Sequence, residues 1–198
     1  MSAPVTAPSL RLLSGDGPAL AIRPRPQRGL GAIILRPDSP DLIAGVMIET
    51  GALWPDDRGF FTELFRFGVP GVEAPFTSGF SPSAQISVAA SFPGVIKAMH
   101  YHRLQTDLWA PVRGQLQVAL YDLRCKSATF GGVNTLYLGE WRPWRLRIPP
   151  GVGHGYKVVG AEPALMVYAT DRFYNPDDEG RIPYDDPDLN YDWELQHK

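Results

Sequence analysis

Gly94-Val95-Ile96-Lys97-Ala98-Met99-His100-Tyr101-His102 and Pro149-Pro150-Gly151-Val152-Gly153-His154-Gly155 are the two stretches on which the fold turns. The first reads as an extended strand, where residues two apart face the same side. His100 and His102 therefore share a face, with Ile96 and Ala98 on it by the same rule. The second is a Pro-x-Gly-x-x-His turn that delivers a third imidazole. A lone histidine on an apolar face is more often a satisfied core residue, but three at these spacings converge as a site. Lys97 lies three residues before His100, so a regular strand aims it away. A bulge near Ala98 is needed to bring both into one pocket.

Working outward, residues 115–123 alternate, with Leu116, Val118 and Leu120 on one face and Gln115, Gln117 and Tyr121 on the other. Residues 42–49, 60–65, 134–137, 145–148, 155–159 and 165–170 are further strand candidates, and 54–59 is a loop. Gly and Pro number 20 each in 198 residues, which favours short elements joined by turns over long helices. The middle of the chain carries no amphipathic helix. This pattern predicts an all-β sandwich or jelly-roll barrel with few short helices.

Residues 42–198 form the predicted domain. Residues 1–41 read as an N-terminal arm: small and Pro-rich at the start, then basic and Pro-rich through Arg23-Pro24-Arg25-Pro26-Gln27-Arg28. Either the arm orders against a partner subunit or it is a disordered tail.

Hydrophobic residues at 44% and charged residues at 20% indicate a globular chain of one domain. A net charge of −2 gives no footing for nucleic acid or an anionic membrane. The single cysteine, Cys125, excludes an internal disulfide framework and a Cys-rich zinc site. No apolar run reaches the ~18 residues of a membrane span, and the N-terminus lacks the apolar segment of a secretory signal. A cytoplasmic location is the expectation.

Asp57-Arg58-Gly59-Phe60-Phe61-Thr62-Glu63 resembles the Arg-Gly-x-Phe-x-Glu signature of the dTDP-4-dehydrorhamnose 3,5-epimerase family. The stretch from Gly94 to Tyr101, Ser127-Ala128-Thr129-Phe130-Gly131, the stretch from Ile148 to Tyr156, and Tyr168-Ala169-Thr170 followed by Tyr174 match in the same order. Together they cover about three quarters of the chain. The resemblance implies a cupin double-stranded β-helix. It further implies cofactor-free proton transfer beside the ketone of a dTDP-linked 4-keto-6-deoxy sugar, and a homodimer in which an N-terminal strand crosses to the neighbour. An α-proton becomes acidic only if the enolate oxygen is stabilised, so such a site needs a base, an acid on the opposite face and a positive group. By resemblance His100 is the base, Tyr168 the acid, and His154 a neighbour of the keto oxygen and phosphates. Lys97 stands where the family usually has Arg, keeping the charge without the bidentate geometry. Arg58, Glu63 and Gln85 match nucleotide-contacting positions.

Three departures accompany these matches. Asp107 lines up with the family's catalytic lysine, His102 replaces a common Gln, and a C-terminal Leu-Ser-x-Lys-Asp motif has no counterpart before Lys198. The first two fit together, because His100-x-His102, Asp107 and Gly114 reproduce the spacing of metal-binding cupins, with His154 as a fourth ligand. Three imidazoles and a carboxylate suit Zn, Fe, Mn or Ni. Three readings follow: an epimerase, with a single-centre reaction favoured by the departures; a metal-dependent cupin of unassigned substrate using His100, His102, Asp107 and His154; and a non-catalytic binder of a sugar nucleotide.

Overall fold

Strands of two to eight residues gain stability only by pairing and covering an apolar face. The computed structural model describes residues 9–67, 75–80 and 85–194. Its strands are β1 (Arg11–Leu13), β2 (Leu20–Ile22), β3 (Ala32–Ile33), β4 (Met47–Thr50), β5 (Trp54–Asp56), β6 (Gly59–Phe61), β7 (Gln85–Ser91), β8 (Ile96–His102), β9 (Asp107–Arg113), β10 (Gln115–Asp122), β11 (Val133–Gly139), β12 (Trp144–Ile148), β13 (Val152–Val159), β14 (Ala164–Thr170) and β15 (Glu179–Arg181). One 3-10 turn, Pro75–Thr77, is the only helical element among the described residues. No helix among them is long and apolar enough to cross a membrane.

A six-stranded sheet runs β15-β8-β13-β10-β11-β3, and a five-stranded sheet runs β4-β12-β9-β14-β7. This is the all-β jelly roll that the alternating pattern predicts. Period-two alternation turns Leu116, Val118, Leu120, Leu136, Leu138, Val152, Tyr156 and Val158 of the first sheet inward. They meet Trp109, Leu146, Ile148 and Met166 of the second. Truncating one such leucine to alanine costs about 2–5 kcal/mol.

The outer face of the six-stranded sheet departs from the sequence reading. Gln117 and Tyr121 belong to the face predicted to be polar, yet both are buried. Gln117 Nε2 donates to the Tyr191 hydroxyl and to the Asp192 carbonyl, each at 3.1 Å, and the Tyr121 hydroxyl donates to the Arg23 carbonyl. Leu20 and Ile22 from one end of the chain, and Ile182, Leu189, Tyr191 and Trp193 from the other, pack over Met99, Tyr101, Ala119 and Tyr121. The segment read as an arm thus supplies buried strands to its own chain. Leu20, Ala21 and Ile22 are 2%, 0% and 0% exposed, and β3 joins β11 in parallel. Strands of two or three residues show no period, which is why composition alone marked this region as an extension. The part of that expectation falling on residues 1–8 lies outside the described residues.

The Ser127-Ala128-Thr129 match serves the fold. Asp122, fully buried at the end of β10, accepts from Arg124 Nε at 2.8 Å and Nη2 at 2.9 Å, from Ser127 Oγ at 2.5 Å and from Thr129 Oγ1 at 2.6 Å. The same groups hold the strand entering the barrel: Ala44 N donates to Thr129 Oγ1, and Arg124 Nη2 donates to the Ala44 carbonyl. Burial alone would raise the Asp122 pKa, but Arg124 and the two hydroxyls outweigh it and hold the carboxyl below its usual range. A depressed folded-state pKa gives stability that is complete above the unfolded value near ~3.9 and is lost as pH falls through the lower folded value. Asp122→Ala is expected to destabilise the protein by about 3 kcal/mol at neutral pH. In thermal melts the gap from wild type should narrow as pH falls below about 3.9; a gap unchanged down to pH 2 would contradict this.

Candidate active site

The site begins with a change of face along β8. Met99 and Tyr101 lie in the outer core, with Ile96 and Ala98 packed against it. Lys97, His100 and His102 line the interior. Two consecutive residues, Ala98 and Met99, therefore turn outward, which is the bulge that the Lys97–His100 spacing requires. It corrects the regular alternation, under which Ile96 and Ala98 share the histidines' face. The ladder shows the same slip, with His154 opposite His100 but Tyr156 opposite Lys97. A side chain on β13 would block it, because a Cβ on Gly155 would sit 2.3 Å from Ala98 Cβ and 2.8 Å from the Lys97 carbonyl.

His154 comes from the second quoted stretch. Gly151 takes φ +77°, where a β-carbon would meet Arg124 Cγ at 2.5 Å, and its N–H donates to the His102 carbonyl at 2.7 Å. The turn is thereby tied to the end of β8. Val152, Tyr156 and Val158 are core residues on the same face of β13, so His154 also points inward.

The cavity of about 260 Å³ between the sheets has two distinct walls. Lys97, His100, His102, His154 and Tyr156 come from the six-stranded sheet. Gln85, Asp107, Trp109, Met166, Tyr168 and Thr170 come from the five-stranded sheet. His100, His154, Lys97, Tyr168 and Gln85 are thus brought together around the cavity. Arg58 and Glu63 do not join them. Arg58 projects from the β5–β6 turn, paired with Asp56, and Glu63 pairs with Arg66. Both lie outside the cavity of their own chain.

Of the predicted metal set, three members cluster. His102, Asp107 and His154 offer ligand atoms that all lie within 4.8 Å of one another. His100 stands outside that group, its ring centroid 6.4 Å from that of His154 and nearly perpendicular to it. Asp107 accepts from Gln105 Nε2 at 2.8 Å and Trp109 Nε1 at 3.3 Å. His154 Nε2 lies 3.4 Å from Asp107 Oδ2, and His102 Nε2 lies 3.9 Å from Oδ1.

Burial, then the nearby His154, pushes the His100 pKa down to about 4, so the ring is neutral at neutral pH and keeps a free lone pair. The same two causes lower His102. Burial alone would raise Asp107, but His154, His102 and Gln105 outweigh it and leave the carboxyl below its usual range.

The sequence reading missed several wall residues. Trp109 follows Asp107 at two-residue spacing, so alternation along β9 carries a signal for it, whereas Gln105 lies just before the strand. Tyr156, whose hydroxyl lies 2.9 Å from Ser91 Oγ, follows from His154 by the same rule. Glu179 and Arg181 reach the cavity only because β15 pairs with β8, which no local pattern encodes.

A family model for dTDP-4-dehydrorhamnose 3,5-epimerase matches residues 41–198. The spore coat polysaccharide biosynthesis protein SpsL of Bacillus subtilis (strain 168) is 43% identical over 159 residues, covering 79% of this chain and all of SpsL. Among solved structures, the dTDP sugar isomerase of Desulfovibrio desulfuricans G20 superposes with a TM-score of 0.68 at 30% identity, over 76% of this chain and 92% of that one. The dTDP-6-deoxy-D-glucose-3,5-epimerase of Legionella pneumophila Philadelphia 1, in complex with dTDP-4-keto-L-rhamnose, gives 0.63 at 28%, over 77% and 80%.

Gly155→Ala is expected to force the bulge out of β8 and turn Lys97 away from the cavity. The cost should be about 1–3 kcal/mol in chemical denaturation, as for other overpacked sites. A variant as stable as wild type would mean that the bulge does not depend on Gly155.

Proposed function

This chain belongs to the dTDP-4-dehydrorhamnose 3,5-epimerase family, and from that premise we propose that His100 and Tyr168 move the protons of its reaction. The chain is an enzyme of the epimerase class. Its substrate in this reading is a dTDP-linked 4-keto-6-deoxy sugar. One observation carries the proposal: His100 and Tyr168 stand on opposing sheets with the cavity between them.

A sugar ring held there presents one face to each residue. The neutral His100 imidazole takes a proton from a carbon next to the ketone. The C–H electron pair moves into the ring and the keto oxygen becomes an enolate. Delivery of a proton from the Tyr168 hydroxyl to the other face re-forms the C–H bond with inverted configuration. The proton on His100 and the vacancy on Tyr168 then equilibrate through solvent. Lys97 supplies positive charge on the histidine wall for the enolate or the phosphates. Its place beside His100 depends on the β8 bulge.

The positions of Arg58 and Glu63 support a homodimer. The β5–β6 hairpin is a separate two-stranded sheet whose Trp54, Phe60 and Phe61 are 51%, 56% and 64% exposed. Three large apolar side chains on one small hairpin need a cover. In this reading the cover is the second protomer, and Arg58 enters that protomer's cavity. The metal-dependent cupin of unassigned substrate and the non-catalytic binder give way as functions to the family assignment.

With dTDP-4-keto-6-deoxyglucose in deuterated water, wild type is expected to exchange and invert hydrogen at C3, C5 or both, read by proton NMR. His100→Asn should lower exchange by about 10²–10⁴-fold. Tyr168→Phe should keep exchange but lose inversion, because proton return is then confined to the histidine face. Wild-type exchange in His100→Asn would sink the assignment. For the dimer, co-expressed Arg58→Ala and His100→Asn chains should regain activity that neither has alone, since a hybrid holds one intact cavity. Activity no greater than the sum of the two variants would contradict the shared site.

A further inference from the structure

Asp107 is a buried carboxylate whose ion-pair partners among the described residues are two histidines. An unpaired charge in the interior is costly, so something positive belongs beside it. His154 limits what that is. Its Nδ1 lies 2.9 Å from the Val152 carbonyl, and a carbonyl only accepts, so Nδ1 carries the hydrogen. The remaining nitrogen, Nε2, points at Asp107 Oδ2 from 3.4 Å, beyond the ~2.7–3.2 Å range of a good N–H···O hydrogen bond. A metal ion between them would be coordinated by both.

The distance fits. Two metal–ligand bonds of about 2.1 Å meeting at a tetrahedral angle place their donor atoms ~3.4 Å apart. His102 Nε2, 3.9 Å from the second Asp107 oxygen, stands ready as a third ligand. Two of the three are also oriented from behind: His154 by the Val152 carbonyl, and Asp107 by Gln105 Nε2 and Trp109 Nε1. Hydrogen bonds of this kind fix the tautomer and aim of metal ligands. The cluster opens on the cavity shared with His100 and Tyr168, leaving room for a further ligand. Three protein ligands with one open position is the arrangement of catalytic rather than structural zinc.

We propose that His102, Asp107 and His154 hold a divalent transition ion, with Zn²⁺ as the working assignment, whose open position takes the keto oxygen of the bound sugar. The second half of this proposal rests on the epimerase reading above; the metal site does not. As His100 breaks the C–H bond, the electron pair arriving on the keto oxygen is stabilised by the ion, and no oxidant or reductant is required. His100 lies outside the ligand set, so base and metal do not compete for one residue.

Full-length protein made without a histidine tag is expected to carry about one equivalent of a divalent ion by elemental analysis. Metal-stripped protein should bind one Zn²⁺ in calorimetry, with a rise in Tm. Asp107→Asn and His102→Gln should each weaken Zn²⁺ binding at least tenfold, whereas His100→Asn should retain the ion. Should one ligand variant fail to fold, the other carries the same test. A wild-type protein with less than a tenth of an equivalent, whose Tm ignores added Zn²⁺, would overturn the site. Stripped protein that exchanges substrate hydrogen as fast as the Zn²⁺-loaded form would overturn the polarising role and leave the epimerase reading intact. Metal bound at one equivalent with no hydrogen exchange in wild type would overturn the epimerase reading and leave the site standing.

Discussion

Gly155 on β13 and the Lys97–Ala98 backbone on β8 approach so closely that no β-carbon fits between them. That contact decides which side chains of β8 face inward. Without the slip, Lys97 and His100 would stand on opposite faces, and one wall of the cavity would lose its lysine. With it, Lys97, His100 and His102 share a wall with His154. The Gly151 turn adds a second tie, since its N–H bonds the His102 carbonyl and joins the two histidine-bearing stretches. A pleated strand transmits any change of register to every side chain along it. The chemistry of the pocket is in this sense a consequence of a backbone packing constraint.

The six-stranded sheet that carries the histidines is covered on both faces. Its inner face meets the other sheet, and its outer face is closed by residues near both ends of the chain, Leu20 and Ile22 among them. Gln117 and Tyr121 keep their hydrogen bonds under this cover instead of facing water. The five-stranded wall is arranged differently. Its outer face carries a smaller cluster around Leu108, Ala169, Phe76 and Phe80. A wall backed by a dense outer layer suits groups that must be held at fixed distances, such as His102 and His154.

What could be read from the sequence follows from the range of the interactions involved. Alternation along single strands is local, and it was enough to indicate an all-β barrel and to direct His100, His102 and His154 inward. The bulge was legible too, because residues three apart cannot share a strand face. Long-range pairing was not. Nothing near Glu179 or Arg181 announces that β15 lies beside β8, and nothing near Leu20 announces a buried strand of three residues. Arg58 and Glu63 show the reverse case. Their motif carries the family resemblance, yet Arg58 sits at the turn of the separate β5–β6 hairpin and Glu63 just after it, away from this chain's cavity.

The cavity sets a lysine and three imidazoles on one wall against an aspartate and a tyrosine on the other. That asymmetry suits the proposed substrate, which carries both negative phosphates and a ketone. The account's central claim is that the sugar ring lies between His100 and Tyr168. A crystal structure of the complex with dTDP linked to an unreactive 6-deoxy sugar tests it most directly. The account predicts one ring face against the His100 imidazole and the other against the Tyr168 hydroxyl. A sugar bound with both residues on the same face, or outside the inter-sheet cavity, would contradict it.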